Sequence, residues 1–159
     1  MHSEDVHLRY LIYGAASELP ADDALLLQAA LDAAARQSYA PYSHFHVGAA
    51  ARMASGAIIS GSNQENASYP VGICAERTLL SVASSLHPGE AISALAVTAA
   101  GSREPISPCG ICRQSLLEFQ GRTGQPIRLI MGGSEGPVWV LEDARALLPL
   151  AFTTDNLLP

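Results

Sequence analysis

The chain has 159 residues, of which 48% are hydrophobic, and this fits one folded domain and excludes an intrinsically disordered protein. All nine basic residues are arginines, and fifteen acidic residues outweigh them to give a formal net charge of −6. Because no basic stripe is visible, we do not expect the protein to bind a nucleic-acid backbone.

No stretch approaches the roughly 18 consecutive apolar residues of a membrane helix, so we expect no membrane partner. The segment Met1–Asp5 lacks the basic start and apolar core of a signal peptide, which predicts a cytoplasmic protein. Three cysteines cannot all pair within one chain, and disulfides are disfavoured in the cytoplasm. Metal binding or thiol chemistry is therefore the predicted use of the cysteines.

The N-terminal part of the chain predicts a strand followed by a helix. The segment His7–Tyr13 is rich in aromatic and branched residues and is interpreted as an edge strand. Asp22 or Asp23 is predicted to cap a helix that runs to about Gln37, since acidic groups suit the positive end of the helix dipole.

A hairpin and a second helix follow. Phe45–Met53 and Ala57–Ser62 are predicted as its two strands, with a turn at Ser55-Gly56. A polar loop then leads to a helical pattern that begins at Cys74 and ends near His87.

The second half of the chain alternates strands and helices. Ile92–Thr98 is apolar enough for a central strand, and the next helix is predicted from Cys109 to about Gln120, with Gly121 as its stop. The remaining predicted elements are two strands, Ile127–Met131 and Val138–Leu141, and a short helix, Glu142–Leu148.

This order predicts an α/β fold, a three-layer α/β/α domain around a mixed five-stranded sheet. The connection Gly132–Pro137 is too short for the crossover that joins parallel neighbours. The last two strands are therefore predicted to be antiparallel.

All three cysteines lie at predicted helix starts. Cys109 and Cys112 are three residues apart, which puts both sulfurs on one side of a first turn, and Cys74 begins the other helix. If the two helix ends abut, three thiolates can bind one zinc ion and leave its fourth position for water, as in catalytic zinc sites.

Two charged residues follow the first cysteine. Glu76 stands where a proton carrier beside an activated water is needed, and Arg77 is interpreted as a hydrogen-bond donor to a ligand sulfur. These residues favour a zinc-activated hydrolase.

Other uses of a Cys-x-x-Cys pair remain open at this point. A redox pair would leave Cys74 and Glu76 unexplained. A structural zinc site, as in a non-catalytic binding module, needs a fourth protein ligand, for which the candidates are His44, His46 and His87.

The combined pattern resembles the zinc-dependent cytidine deaminases. The resemblance rests on Cys74–Arg77 (Cys-Ala-Glu-Arg) and on Pro108–Gln114 (Pro-Cys-x-x-Cys-Arg-Gln). It extends through Ala40–Ala50 and Asn63–Tyr69, and covers about residues 39–152. The interpretation is an N-terminal extension, residues 1–21, before a single deaminase domain, residues 22–159.

The resemblance implies roles for individual residues. The implied metal ligands are Cys74, Cys109 and Cys112, and the implied catalytic residue is Glu76. Phe45 would pack against the pyrimidine ring, and Asn63 and Glu65 would bind the ribose hydroxyls. The remaining implied contacts are the Ala75 backbone to the pyrimidine carbonyl, the backbone around Pro108 and Cys109 to the leaving amine, and Tyr69 and Phe152 to a neighbouring subunit's site.

By the same resemblance, the protein is a homotetramer with one Zn²⁺ per subunit, similar to the three-cysteine branch of the family. The implied reaction is attack of zinc-bound hydroxide on carbon 4 of cytidine or deoxycytidine, with Glu76 carrying the protons. A nucleoside antibiotic or a base within RNA would be alternative substrates, although the Asn-x-Glu-Asn motif, Asn63–Asn66, favours a free nucleoside.

Overall fold

The computed structural model describes residues 1–157 and contains three α-helices and six β-strands. The helices are α1 (Ala21–Arg36), α2 (Ala75–Leu86) and α3 (Gly110–Thr123). The strands are β1 (Leu11–Tyr13), β2 (Val47–Met53), β3 (Ile58–Ser62), β4 (Ile92–Ala99), β5 (Arg128–Met131) and β6 (Val138–Leu141). Within the described residues, none of the helices has the length and hydrophobicity needed to cross a bilayer.

The strands form one mixed sheet in the order β1-β6-β5-β4-β2-β3. Among the strands of residues 1–157, only the neighbours β4 and β5 are parallel, and α3 lies in the crossover that joins them. β5 and β6 pair antiparallel, which confirms the prediction made from their short connection. The predicted α/β fold with a mixed sheet is confirmed.

The expected number of five strands is wrong by one. Leu11–Tyr13 pairs antiparallel with Val138–Val140 and adds a sixth strand at the β6 edge of the sheet. This segment is the end of the stretch interpreted as an edge strand, but its three residues form a strand only because the β6 backbone is there to pair with.

The sheet carries a core on each face because successive side chains of a strand point to opposite sides. On one face, α2 and α3 pack on residues such as Ala49, Leu95 and Leu129. On the other, α1 packs on Ala50, Ala96 and the strand residues next to them. The three layers of the predicted architecture follow from this alternation.

Two glycines allow helices to approach the hairpin closely. A Cβ atom on Gly48 would overlap the Ala30 carbonyl oxygen in α1. A Cβ atom on Gly61 would lie 2.7 Å from the backbone nitrogen of Leu79 in α2. The hairpin therefore sets the position of α2, the helix that begins at Cys74.

The predicted cap of the first helix is wrong. Pro20 occupies the N-cap position, and Asp23 lies inside the first turn, where only 3% of it is exposed. Its carboxylate accepts hydrogen bonds from Arg52 at 3.3 Å and from Arg128 at 2.9 Å. Asp23 is buried as an ion-paired anion because two strand arginines reach it, which no local pattern shows.

The predicted ends of two later helices also change. Gly121 lies within α3, and the helix stops at Gly124, which adopts the left-handed conformation with φ of 67°. The short helix expected at Glu142–Leu148 is a single 3₁₀ segment, Ala144–Leu147.

Candidate metal centre and active site

The starts of α2 and α3 meet and carry the three cysteines. Cys74 is the N-cap of α2, Cys109 is the N-cap of α3, and Cys112 lies in the first turn of α3. Neither cap residue's side chain accepts a hydrogen bond from the backbone of its own helix. The unpaired N–H groups and the positive dipole ends of both helices therefore favour thiolate sulfur here.

The spacing of the sulfurs fits one tetrahedral zinc ion. The Sγ atoms of Cys74 and Cys109 lie 3.8 Å apart, and those of Cys109 and Cys112 lie 3.5 Å apart. All three sulfurs lie within 4.8 Å of one another. Two sulfurs bound to the same zinc at about 2.3 Å are roughly 3.8 Å apart, so small adjustments suffice for three Zn–S bonds.

The histidines do not complete a closed site. Within residues 1–157, the cluster contains the three cysteines and no fourth histidine, cysteine or acidic ligand. The Nδ1 atom of His87 lies 2.9 Å from Glu90 beyond the far end of α2, and that of His46 lies 3.1 Å from Ser38. Three ligands and an open fourth position are typical of catalytic rather than structural zinc.

The thiols differ in their affinity for protons. The hydrogen bond from Cys112 is the main reason that the pKa of Cys74 is lowered to about 6. The pKa of Cys112 is raised, because its proton is shared with Cys74 and because it is buried. Ionised sulfur is therefore available near neutral pH, as zinc binding requires.

Glu76 lies in the first turn of α2 and is only 4% exposed. Burial raises the pKa of this carboxyl above its usual range, since the charged form loses contact with water. A carboxyl with a raised pKa can hold a proton and release it, as a proton carrier must.

A cavity of about 370 Å³ joins these groups to the strand side of the site. Its lining includes Cys74, Ala75 and Glu76 from the start of α2. The other lining residues are Phe45, Val47, Asn63, Ile106, Ser107 and Cys109. These nine positions thus combine two thiols of the cluster, a buried carboxyl, an aromatic ring and an amide, which suits a small planar polar molecule.

Glu65 and Tyr69 line a neighbouring hollow of about 350 Å³ and not the metal cavity. Glu65 accepts hydrogen bonds from the backbone of Tyr42 at 3.0 Å and of Ser43 at 3.3 Å, and from the Ser43 hydroxyl. The Ser43 hydroxyl is the main reason that the pKa of Glu65 is lowered. Tyr69 is 76% exposed, with its ring edge towards Tyr42.

Two further predicted site residues lie outside both hollows. Phe152 is 59% exposed, and its carbonyl accepts a hydrogen bond from Gln114. Arg77 lines a groove between α2 and α3 and, among residues 1–157, donates no hydrogen bond to a sulfur. Its positive charge helps to lower the pKa of Cys74.

Arg113 is a structural residue of the site that the sequence reasoning missed. Its guanidinium donates to the carbonyls of Pro108 at 2.8 Å and Leu147 at 3.1 Å, and to the Ser107 hydroxyl at 3.0 Å. These bonds hold the loop that leads into Cys109. The sequence feature that could have identified Arg113 is its position directly after Cys112.

Comparisons with known proteins identify the family of this chain. The family model of the cytidine and deoxycytidylate deaminase zinc-binding region matches residues 20–124. A cytidine deaminase of Halalkalibacterium halodurans is 38% identical over 136 residues, covering 86% of this chain and 98% of that protein. This chain belongs to the cytidine deaminase family.

Solved structures of cytidine deaminases share the fold. The crystal structure of the Burkholderia pseudomallei enzyme matches with a TM-score of 0.71 and 41% identity, covering 80% of this chain and 97% of that one. The Mycobacterium tuberculosis enzyme matches with a TM-score of 0.67 and 33% identity, covering 84% and 99%. Because the family match is to a zinc-binding region that includes all three cysteines, the deaminase cofactor is one zinc per subunit.

Proposed function

We propose that this protein hydrolyses cytidine and deoxycytidine to uridine and deoxyuridine, with release of ammonia, in pyrimidine salvage. The observation that carries this proposal is that the buried carboxyl of Glu76 lines the same cavity as the metal-ligand candidates Cys74 and Cys109. A nucleophile and a proton carrier can therefore meet one small substrate.

The three thiols are the proposed ligands of the metal ion. Zinc held by Cys74, Cys109 and Cys112 would activate water towards carbon 4 of the pyrimidine, as is general for zinc-dependent deaminases. The helix starts that carry these cysteines also offset the negative charge of three thiolates.

Glu76 is proposed to move both protons of the reaction. It takes one from the attacking water and delivers it to ring nitrogen 3. It then transfers the second from the new hydroxyl to the amino group, the C–N bond breaks, and ammonia leaves with uridine as the other product. The raised pKa of the carboxyl supports this exchange, because a buried carboxyl can hold each proton between taking it up and delivering it.

The substrate is proposed to lie between the start of α2 and the loop before β2. The pyrimidine would pack on the Phe45 ring, which lines the cavity and is 51% exposed. The N–H of Ala75 lies in the first turn of α2, where it has no partner within the helix and can donate to the pyrimidine carbonyl. The backbone around Pro108 and Cys109 would meet the leaving amine.

Asn63 and Glu65 are proposed to bind the ribose hydroxyls, and Arg77 to support a ligand sulfur. Asn63 lines the metal cavity, and Glu65 lines the adjoining hollow. A nucleoside with its base at the metal could therefore direct its sugar from one hollow towards the other.

A homotetramer with shared sites is proposed for the assembly. Tyr69 and Phe152, the residues expected to reach a neighbouring site, are both more than half exposed in the single chain. Exposed aromatic side chains of this size are typical of contact surfaces. A cytoplasmic location, without nucleic-acid or membrane partners, stays a prediction.

The proposal is tested by ammonia release and the loss of cytidine absorbance, measured with and without a chelator. We expect turnover of cytidine and deoxycytidine that stops after chelation and returns with Zn²⁺, and no turnover of blasticidin S or a tRNA. Zinc content near one per chain without any turnover would instead indicate a non-catalytic binding module. Sedimentation of the active protein as a monomer would contradict the tetramer.

A further inference from the structure

The amide of Asn63 is held by three contacts where β3 ends. Its Oδ1 lies 2.6 Å from the Ser38 hydroxyl and 2.9 Å from the backbone nitrogen of Val47, and its Nδ2 lies 2.8 Å from the Phe45 carbonyl. The Ser38 hydroxyl in turn lies 3.1 Å from Nδ1 of His46. These contacts link the end of α1 to two residues of the cavity wall.

The backbone contacts settle the orientation of the Asn63 amide. Val47 N–H can only donate, and the Phe45 carbonyl can only accept. If the amide were flipped, its nitrogen would face the Val47 donor and its oxygen would face the Phe45 acceptor. Only the orientation with Oδ1 towards Val47 makes both hydrogen bonds.

The Ser38 hydroxyl has one proton, and that proton is needed by Asn63. Oδ1 of Asn63 has no hydrogen, so the 2.6 Å contact requires the hydroxyl to donate. The contact between Ser38 and His46 must then be made by a proton on Nδ1 of His46. The order of donation is His46 to Ser38 to Asn63.

This order leaves the side-chain amide of Asn63 with one N–H that has no partner among residues 1–157. Both lone pairs of Oδ1 are occupied by Ser38 and Val47, and one N–H is bound to Phe45. The second N–H has no protein acceptor among residues 1–157, and Asn63 lines the cavity. A ligand group that meets this amide must therefore accept a hydrogen bond.

We propose that Ser38 and His46 are positioning residues that hold the Asn63 amide so that one N–H faces the sugar of the nucleoside. This inference rests on the proposed nucleoside deaminase function. Glu65 complements the Asn63 amide, because the Glu65 carboxylate can only accept hydrogen bonds and already binds the loop at Tyr42 and Ser43. A sugar hydroxyl between the two residues would accept from Asn63 and donate to Glu65.

The test compares Ser38→Ala with the wild type on cytidine and on 2′,3′-dideoxycytidine, which has no sugar hydroxyl in the ring positions that Asn63 would meet. Loss of one neutral hydrogen bond predicts a kcat/KM for cytidine that is lower by roughly 5- to 10-fold, mainly through KM. For dideoxycytidine we expect a change below about twofold, because the sugar contact is already missing.

A matched control is Ser60→Ala, which removes a hydroxyl that accepts a hydrogen bond from Gln37 and has no contact with Asn63. We expect wild-type kinetics on both substrates. An equal loss of kcat/KM on both substrates in Ser38→Ala would overturn the positioning role, since the effect would then not pass through the sugar.

A second experiment examines the hydrogen bonds between His46, Ser38 and Asn63 independently of catalysis. Nitrogen-15 NMR of the zinc-loaded protein should show a proton on Nδ1 of His46, and Ser38→Ala should change the distribution of protons between the two ring nitrogens. A wild-type His46 without a proton on Nδ1 would overturn the proposed order of donation. If the wild type deaminates no nucleoside, the proposed function fails, and with it the sugar role, while the tautomer still reports whether the network exists.

Two substitutions of His46 test whether its hydrogen-bond donor is needed. His46→Asn places an amide N–H close to the position of Nδ1 and is expected to keep cytidine KM within about twofold of the wild type. His46→Ala removes the donor and should raise KM as Ser38→Ala does. Wild-type KM in His46→Ala would show that Ser38 alone positions Asn63 and would remove His46 from the proposal.

Discussion

The two sides of the proposed active site are built in different ways. The metal wall, formed by Cys74, Glu76, Cys109 and Cys112, lies on two helix starts that are docked on the sheet. The sugar wall, formed by Phe45, Asn63, Glu65 and Tyr69, lies on loops held by side-chain hydrogen bonds. Core packing holds the first in place, while a few polar contacts hold the second.

This difference is accompanied by a difference in how far side chains of the two walls are exposed in the single chain. Glu76 and Cys112 are buried, because the helices that carry them share the core of one sheet face. Phe45 and Tyr69 are more than half exposed. We therefore expect substitutions in the metal wall to abolish chemistry, and substitutions in the sugar wall to change substrate binding.

The largest effect is expected from Cys112→Ala, which removes the buried member of the thiol cluster. Zinc content should fall from about one per chain to below roughly a tenth, and turnover should fall with it, because two thiolates hold the ion weakly. Metal analysis and ammonia release measure the two quantities. Ser115→Ala, one turn along α3, is the control and should keep zinc. Full zinc content and activity in Cys112→Ala would remove this residue from the ligand set.

Glu76→Gln is expected to separate chemistry from metal binding. It should retain zinc while kcat falls by about 10²- to 10⁴-fold, since the amide cannot take up and return a proton. Glu118→Gln, an exposed position on α3, should have wild-type kcat. A Glu76→Gln protein with bound zinc and near-normal turnover would rule out the proton carrier.

Phe45→Ala should act on binding. Loss of the ring from the cavity is expected to raise KM for cytidine by roughly 10- to 50-fold, through apolar contact area that the substrate no longer buries. Stability should change little, because half of the ring is already exposed. Leu25→Ala, an exposed residue of α1, is the kinetic control. An unchanged KM would place the pyrimidine elsewhere.

The smallest effect concerns pH and the loop held by Glu65. The pKa of this carboxyl is lowered, first by the Ser43 hydroxyl and then by the Tyr42 backbone, so the folded state prefers the ionised form. Its contribution to stability is complete above the unfolded pKa of about 4.3 and is lost as pH falls through the lower folded pKa. The difference in thermal unfolding between the wild type and Glu65→Gln should therefore be full at pH 6 and should shrink progressively as the pH falls below about 4. A constant difference over this range would contradict the carboxylate's role in the loop.

Much of the fold could be predicted because its signals are local. The hairpin, both cysteine-bearing helices and the antiparallel pairing of β5 with β6 follow from residue patterns and from one short connection. The sequence also suggested that Cys74 meets Cys109 and Cys112, since helix starts favour thiolate and a redox pair would leave Cys74 unexplained. The structure brings their sulfurs together.

Other features could not be predicted, since they depend on contacts between distant parts of the chain. Asp23 has the local features of a helix cap, yet Arg52 and Arg128 bind it as a buried anion across the sheet. Ser38 carries no signal of its own, and its contact with Asn63 exists only because the end of α1 lies beside the end of β3.

The sequence by itself determined the chemistry of this protein: three thiols at helix starts, a carboxyl beside them, and the order of helices and strands. The tertiary structure alone decided that a sixth strand joins the sheet, that Glu76 is buried, and that Glu65 and Asn63 line separate hollows. The reason is physical. Residue type and spacing determine what a segment can do locally, whereas burial and long-range hydrogen bonds depend on how the segments pack.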